Sequence, residues 1–534
     1  MELDRRQFVM GASVAGISAL AAGMVGCSSP SSKEKASGST APEREISETI
    51  DADIVVVGGG MSGLAAAVQA GCNKDKAVLI EIGECGGAGN GVEGIFGVNS
   101  PLQKEQGITL NKAEVLTDEV AATNYTVDGL MWKEMIDASG DNIAWLLEQG
   151  AELSGVVDGY LPGGRFHTFH WWKNGHAKDG YVQQMIDRAS ELGVDIRTHT
   201  AAESLIMEEG KVAGLYAKKS DDTYVQINAR AVILAAGGFI GNKELLAKQM
   251  NIVEGEMAKA CLQVAETLHR MGSGMNMALE AGARNYPGTC IEGWYQPEGM
   301  PVGDASQTFS LMITDDVSFR QVFLLTGFGW GTTNIWVEEN AQRFVDEGSS
   351  YTEIERTFTT RKFYKNHYQI FDRANIETTM ADPSMLNAFE TMVKDYPESI
   401  YQDDTIEGLA KKLNLDPVKL QETVEKYNSY CESGVDEDFG KSAEYLAPLT
   451  KPPFYGFRCE ISGDATLGGI CVDRNFRAVN DQKEPIDGLY MAGVDACMLY
   501  NCVYPIGVPG TACCNSINSG RKSANHAHEY IQSV

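Results

Sequence analysis

The chain has 534 residues, 43% hydrophobic and 22% charged, enough for two or more domains around a sizeable core. That apolar content excludes a chain disordered throughout, and the lack of a Gly-X-Y period excludes collagen. With 44 basic against 73 acidic residues and a net charge of -29, the balance argues against nucleic acid or an anionic membrane surface as the main partner. It leaves room for a nucleotide cofactor, because backbone N–H groups hold phosphates without basic side chains.

At the N-terminus, Asp4-Arg5-Arg6-Gln7-Phe8 precedes a Gly/Ala/Val-rich stretch from Val9 to Gly26. A transmembrane helix needs about 20 strongly apolar residues, and this stretch is shorter and full of glycine. It reads as a signal peptide with a twin-arginine pair, Arg5-Arg6; a short buried helix is the bland alternative. Met24-Val25-Gly26-Cys27 resembles a lipoprotein cleavage box, with Cys27 as the lipidated residue. Plain cleavage nearby is the rival reading. Residues 28–46 are mainly Ser, Lys, Glu, Pro and Thr, and a disordered tether is expected over 28–49.

The 12 Cys are scattered. No Cys-x-x-Cys-His offers a c-type haem, and no Cys-x-x-Cys pair points to zinc or an iron–sulfur cluster. Most read as small buried hydrophobes.

Residues 53–57, Asp-Ile-Val-Val-Val, form a β-branched run suited to a buried parallel strand. Gly58-Gly59-Gly60-Met61-Ser62-Gly63 follows, giving G-x-G-x-x-G spacing at the mouth of a helix, Leu64–Val68. A second strand, Ala77–Ile80, ends at Glu81. Strand, glycine turn, helix, second strand and acid at this spacing predict a dinucleotide site. The first Gly permits the turn and the second admits the pyrophosphate. The third lets helix and strand pack, and Glu81 is placed for a ribose hydroxyl.

Further glycines at Gly86, Gly87, Gly89, Gly91 and Gly94 leave backbone bare for a large flat ligand. A later strand, Ala231–Leu234, runs into Ala235-Ala236-Gly237-Gly238, and another closes at Met491-Ala492-Gly493. So spaced, these segments resemble the FAD-binding half of the fumarate reductase/succinate dehydrogenase flavoprotein superfamily, over nearly all of residues 50–534. Arg343-Phe344-Val345-Asp346-Glu347 and Thr466-Leu467-Gly468-Gly469 support the likeness. The resemblance implies an α/β fold: a Rossmann-type FAD-binding domain, 50–285 and 431–534, with an α+β capping domain inserted at 286–430. The implied cofactor is non-covalent FAD. Its candidate contacts are Gly58, Gly60, Met61, Ser62, Gly63, Glu81, Gly86, Gly87, Gly91, Ala236, Gly237 and Gly493. An NAD-binding dehydrogenase explains only the first motif.

The family's dicarboxylate clamp is not built here. Tyr351 stands where, in fumarate reductases, an Arg serves as the proton donor. Asp464-Ala465 stands in place of the clamping His, and Tyr504-Pro505-Ile506-Gly507-Val508 in place of the carboxylate-gripping Arg stretch. The 3-ketosteroid dehydrogenase branch has tyrosines in both registers. By that resemblance Tyr351 exchanges a proton with a substrate carbon, while the Tyr504 hydroxyl and the Val508 N–H hold the substrate's carbonyl oxygen. Val508 replaces that branch's glycine, so a side chain crowds the place of a steroid A-ring.

The implied activity is ene reduction of a carbonyl-activated C=C bond, with a steroid-like or aromatic enone as electron acceptor. A 3-ketosteroid dehydrogenase running oxidatively is an alternative. So is a fumarate or enoate reductase, dicarboxylate or cinnamate-like. The export signal favours reduction with electrons from an external donor, a membrane or haem protein. The aromatic stretch Phe166–Trp172, with His176 nearby, is a wall for a flat substrate or plain core packing, and a metal site there lacks paired spacing. Trp294-Tyr295 and Phe328-Gly329-Trp330 line a pocket or fill the cap. His526 and His528 read as solvated in a polar tail. Leu409, Leu413, Leu415 and Leu420 suggest one packed helix within 402–430.

Overall fold

The computed structural model describes residues 45–160, 164–253, 255–300, 332–349, 364–379, 383–501, 503–505 and 507–534. The expected signal, Cys27, Tyr351 and Phe328–Trp330 lie outside the described residues.

The first strand, β1 (Ile46–Val57), ends in four buried β-branched residues. The helix after the glycine turn, α1 (Met61–Cys72), is rich in Ala and is buried from Met61 through Gly71. An all-round apolar helix of this kind sits inside a domain rather than on it. β2 (Ala77–Ile80) is buried throughout. Next come β3 (Gly94–Phe96), α2 (Gly129–Glu148), β4 (Leu153–Asp158) and β5 (Phe169–Trp172). Their three strands make a small antiparallel sheet in the order β3-β5-β4.

The main sheet adds β6 (Asp195–Arg197), the hairpin β7 (Thr200–Glu208) and β8 (Lys211–Lys219), and β9 (Tyr224–Leu234). It closes with β15 (Arg477–Val479) and β16 (Pro485–Met491), in the order β15-β16-β9-β1-β2-β6. Strands β16, β9, β1, β2 and β6 are parallel. The expected tether gives way early. Residues 46–49 already pair with β9, because their alternating side chains satisfy an exposed strand end.

A second sheet lies between those halves in sequence. It contains β10 (Cys290–Pro297), β11 (Ile335–Glu338), β12 (His367–Asp372), β13 (Tyr401–Asp403) and the long β14 (Phe454–Leu467). Its order is β10-β14-β12-β11, with β13 also on β14, and all pairs are antiparallel. Helices α3 (Pro383–Asp395), α4 (Ile406–Leu413) and α5 (Pro417–Ser433) accompany it. This sheet and its helices are the α+β layer that the sequence led us to expect. The 430/431 division falls inside α5, and β14 beyond it belongs to the second sheet.

The leucine-rich stretch expected as one helix is two. Asn414 turns left-handed with φ of 58°, and Pro417 starts the next helix at its first position. Leu409, Leu413, Leu415 and Leu420 are all buried, in a separate core with Ile335, Ile370, Val424 and Tyr427.

The chain ends in α6 (Thr511–Ser533), where a solvated tail was expected. Its histidines are half-buried and bonded. His526 Nδ1 lies 2.9 Å from the Tyr490 hydroxyl, and His528 Nδ1 lies 2.7 Å from Asp75 Oδ1. The small residues of α6 let it press on α1. A Cβ on Gly520 would lie 2.2 Å from the Ser62 carbonyl oxygen.

Candidate active site

The turn after β1 is shaped by what glycine lacks. Gly58 has φ of 104°, and a Cβ there would lie 2.3 Å from the Ala235 carbonyl oxygen. A Cβ on Gly63 would lie 1.8 Å from the Gly58 carbonyl oxygen, so helix and turn meet backbone to backbone. At Gly60, the N-cap of α1, an added Cβ meets nothing within 4 Å. Open space therefore faces a helix N-terminus, the arrangement a pyrophosphate needs.

Glu81 stands directly after β2 and ties this turn down. Its Oε2 accepts the Gly59 N–H at 2.6 Å, and its Oε1 accepts the Gly83 N–H at 2.9 Å. Each oxygen retains a second lone pair, which a ribose hydroxyl can use. The Gly86 N–H donates to the Gly59 carbonyl at 2.8 Å. Gly87 through Gly91 then form a short 3-10 turn against Met61, and a Cβ at Gly87 would also meet open space. The Met61 carbonyl accepts the Tyr181 hydroxyl at 2.7 Å.

Two later segments join from far along the chain. The Ala235 N–H donates to the Val57 carbonyl at 2.8 Å, which sets Ala236-Gly237-Gly238 beside the Gly58 turn. Asp495 accepts the Gly237 and Gly238 N–H groups at 3.1 and 2.9 Å. Burial raises its carboxyl above the usual range, and the amides of Gly238, Ala236 and Gly237 oppose that rise. Gly493 donates to Ser519 Oγ at 2.8 Å and lies against Ser62. Phe239 donates to Thr466 Oγ1 at 3.0 Å, fastening the end of β14 to the same turn.

All the expected cofactor contacts are thus brought to one place. Asp495 and Thr466, neither among the expected contacts, join them. Asp495 had a readable signal: an acid just past the end of a strand, like Glu81 after β2.

The lead-in to α6 carries Tyr504 and Val508, both buried. Tyr504 packs edge-on against Tyr500, with ring centroids 5.0 Å apart. The Tyr500 hydroxyl donates to Thr511 Oγ1 at 2.6 Å, and its carbonyl accepts the Tyr286 hydroxyl at 2.8 Å. Trp132 Nε1 donates to the Leu499 carbonyl at 2.6 Å. From the other side, the Phe96 N–H donates to the Gly510 carbonyl at 3.1 Å.

Tyr351 lies outside the described residues, but the Arg343–Glu347 stretch leading to it is firmly held. Arg343 Nε and Nη2 donate to both Glu347 carboxylate oxygens at 2.9 and 2.7 Å. The same guanidinium reaches Asp436 at 3.2 and 2.9 Å, and Lys441 Nζ lies 3.4 Å from Glu347. All four residues are buried. Burial would raise the Glu347 carboxyl, but Lys441 and Arg343 hold it below its ordinary value.

The aromatic stretch is mainly core. Phe166, Phe169 and Trp172 are buried, and Phe169 fills the notch left by Gly94 and Gly510. His170 is fully buried between Ser100 Oγ at 2.7 Å and the Thr168 carbonyl at 3.0 Å. A carbonyl only accepts, so Nδ1 carries the proton and Nε2 accepts from Ser100. Burial lowers the His170 pKa to about 4, which keeps the ring neutral. Tyr295 is buried in the second sheet against Trp336 and His367, with ring centroids 5.5 and 4.2 Å away.

Against known proteins, the FAD binding domain family matches residues 53–508. The chain belongs to that family. It is a flavoprotein whose cofactor is FAD, and an oxidoreductase acting on CH–CH groups. The flavoprotein is 32% identical over 501 residues to a vinyl phenol reductase of Lactiplantibacillus plantarum, covering 90% of this chain and 96% of that one. It is 30% identical over 361 residues to an NADH:acrylate oxidoreductase of Vibrio harveyi, across 66% of this chain but 33% of that longer protein. Its fold matches a solved 3-ketosteroid-Δ4-(5α)-dehydrogenase from Rhodococcus jostii with a TM-score of 0.66 at 21% identity, over 92% of this chain and 99% of that one.

Proposed function

We propose that this flavoprotein is an ene reductase for a C=C bond conjugated to an aromatic ring or a carbonyl, and that it uses the alkene as electron acceptor. The observation that carries this reading is end-to-end similarity to a reductase of vinyl phenols. In a vinyl phenol the phenolic oxygen becomes that carbonyl when the terminal alkene carbon takes a proton and the hydroxyl proton passes to solvent; the resulting quinone methide accepts hydride at its exocyclic carbon and returns to a phenolate.

The chemistry FAD would supply when bound is hydride donation from its reduced form. The chain's residues supply the rest. The glycine turn at Gly58–Gly63, Glu81, the Gly86–Gly91 loop, Ala236-Gly237 and Gly493 hold the cofactor without a covalent bond. Tyr351 gives its hydroxyl proton to the terminal alkene carbon, so the π bond breaks and two C–H bonds form. A tyrosine hydroxyl is a competent general acid for such a proton transfer. The Tyr504 hydroxyl and the Val508 N–H hold the substrate oxygen and stabilise the charge that gathers there.

A bulky steroid fits less well. Val508 is buried where the steroid branch has glycine, and the likeness to a steroid enzyme is one of fold. We further propose export by the twin-arginine route, anchoring at Cys27 and electron supply from an external membrane or haem protein. The motifs at Arg5-Arg6 and Cys27 support this, as does the -29 net charge available to a basic redox partner.

Single-turnover oxidation of the reduced enzyme by an aromatic alkene tests the roles. Tyr351→Phe should slow the step by about two to four orders of magnitude with FAD still bound. An unchanged rate would remove Tyr351 from the mechanism.

A further inference from the structure

Between the helices Lys259–Thr267 and Ser273–Glu280 the chain makes a tight turn at His269-Arg270. His269 is left-handed, with φ of 54°, and the Arg270 N–H donates to the Ala265 carbonyl at 2.9 Å. Backbone bonds tie this turn to the segment after β9. The Gly241 N–H donates to the Arg270 carbonyl, and the Gly272 N–H to the Gly238 carbonyl, both at 3.0 Å. Arg270 is only 6% exposed. Its Nε donates to the Gly237 carbonyl at 2.8 Å. A Cβ on Gly237 would lie 3.6 Å from that nitrogen, so the side chain lies across Gly237. Asp495 accepts the amide of the same glycine. On its other side, the His269 ring would lie 3.9 Å from a Cβ on Gly83.

Gly237 follows β9, Gly83 follows β2, and β1 runs between those strands. The His269-Arg270 turn therefore bridges the crevice at the carboxyl ends of the three strands, beside the Gly58 turn. An open α/β sheet takes its dinucleotide there. We propose that Arg270 is a cofactor-binding residue whose guanidinium meets the FAD pyrophosphate. The Gly237 contact fixes the base of its planar fork, a shape that suits phosphate oxygens. Its charge complements the α1 N-terminus, which draws the same anion through its amides, and it offsets the acids Glu81 and Asp495. This role holds whichever alkene is reduced, because the cofactor is the same.

Release of FAD from the diluted holoenzyme, followed by the rise in free-flavin fluorescence at low and high KCl, tests the role. Wild type should release FAD slowly, and faster in high salt, which screens the pair. Arg270→Gln keeps an N–H donor for Gly237 but no charge. It should release FAD about 10- to 100-fold faster, the range for a hydrogen bond to a charged group, and lose most of the salt response. Arg270→Lys keeps the charge and should keep that response. Added ADP should block FAD rebinding better than adenosine in wild type, and about as well as adenosine in Arg270→Gln. A wild-type release rate in Arg270→Gln would overturn the role. So would faster release with the salt response and the ADP preference intact, which marks a purely structural arginine. Should Arg270→Gln purify without flavin, Arg270→Lys decides: a flavin-bound Lys variant with the salt response supports the charge, and a flavin-free one overturns it.

Discussion

Asp495 and Gly238 are 257 residues apart in sequence, yet the buried carboxylate of one accepts the backbone amide of the other at 2.9 Å. With the Gly237 amide on its second oxygen, Asp495 locks the end of β16 to the end of β9. Asp495→Ala leaves two amides without an acceptor, at a cost of about 1–3 kcal/mol each. FAD content measured by absorbance after gel filtration should fall, and the melting temperature should fall with it.

Gly58, Gly60 and Gly63 of the first turn should separate folding from cofactor binding. Gly63→Ala forces a Cβ onto the Gly58 carbonyl oxygen, so it should lower the melting temperature of apoprotein and holoprotein alike. Gly58→Ala should do the same, with backbone strain added by its positive φ. Gly60→Ala meets only open space. It should leave apoprotein stability unchanged while weakening FAD binding, which fluorescence titration with FAD would read.

His170 makes stability depend on acid. Its folded pKa of about 4 lies below the ordinary 6.5. The unfolded chain therefore takes up a proton where the folded one does not. The contribution is full above pH 6.5 and is lost as pH falls towards about 4. It amounts to about 3 kcal/mol across that window. Denaturant melts between pH 7 and 4 should show this slope, and His170→Gln should flatten it.

Arg343 should behave as a buried charge whose removal strands its partners. Arg343→Met leaves Glu347 and Asp436 buried with, among the described residues, Lys441 as the cation near Glu347. Breaking such a pair costs about 3–5 kcal/mol. Differential scanning calorimetry should show the loss, and a double variant that also replaces Glu347 and Asp436 with Gln and Asn should recover part of it.

The cofactor-binding half was legible because its signals are local. The Ile54–Val57 run, the Gly58–Gly63 spacing and Glu81 lie within 30 residues and encode strand, turn and acid directly. Asp495 and Thr466 act across 258 and 227 residues, and no local pattern announces such a pairing. The α4–α5 break escaped because buried leucines run through it, although Asn414 and Pro417 mark the boundary. The tail histidines looked solvated because a helix that buries small residues shows little apolar stripe. Arg343–Glu347 matches a family stretch, and its physical work is a buried ion pair whose guanidinium lies 5.0 Å from the Tyr427 ring of the second core.

The most direct test of the account is anaerobic oxidation of the chemically reduced enzyme, followed by flavin absorbance, with 4-vinylphenol and with its saturated product in separate runs. Oxidised flavin should return rapidly with the alkene, the ethyl phenol should form in equal amount, and the reduced enzyme should not react with the saturated compound. A reduced flavin left unchanged by the alkene, in an enzyme whose oxidised form readily dehydrogenates the saturated compound, would contradict it.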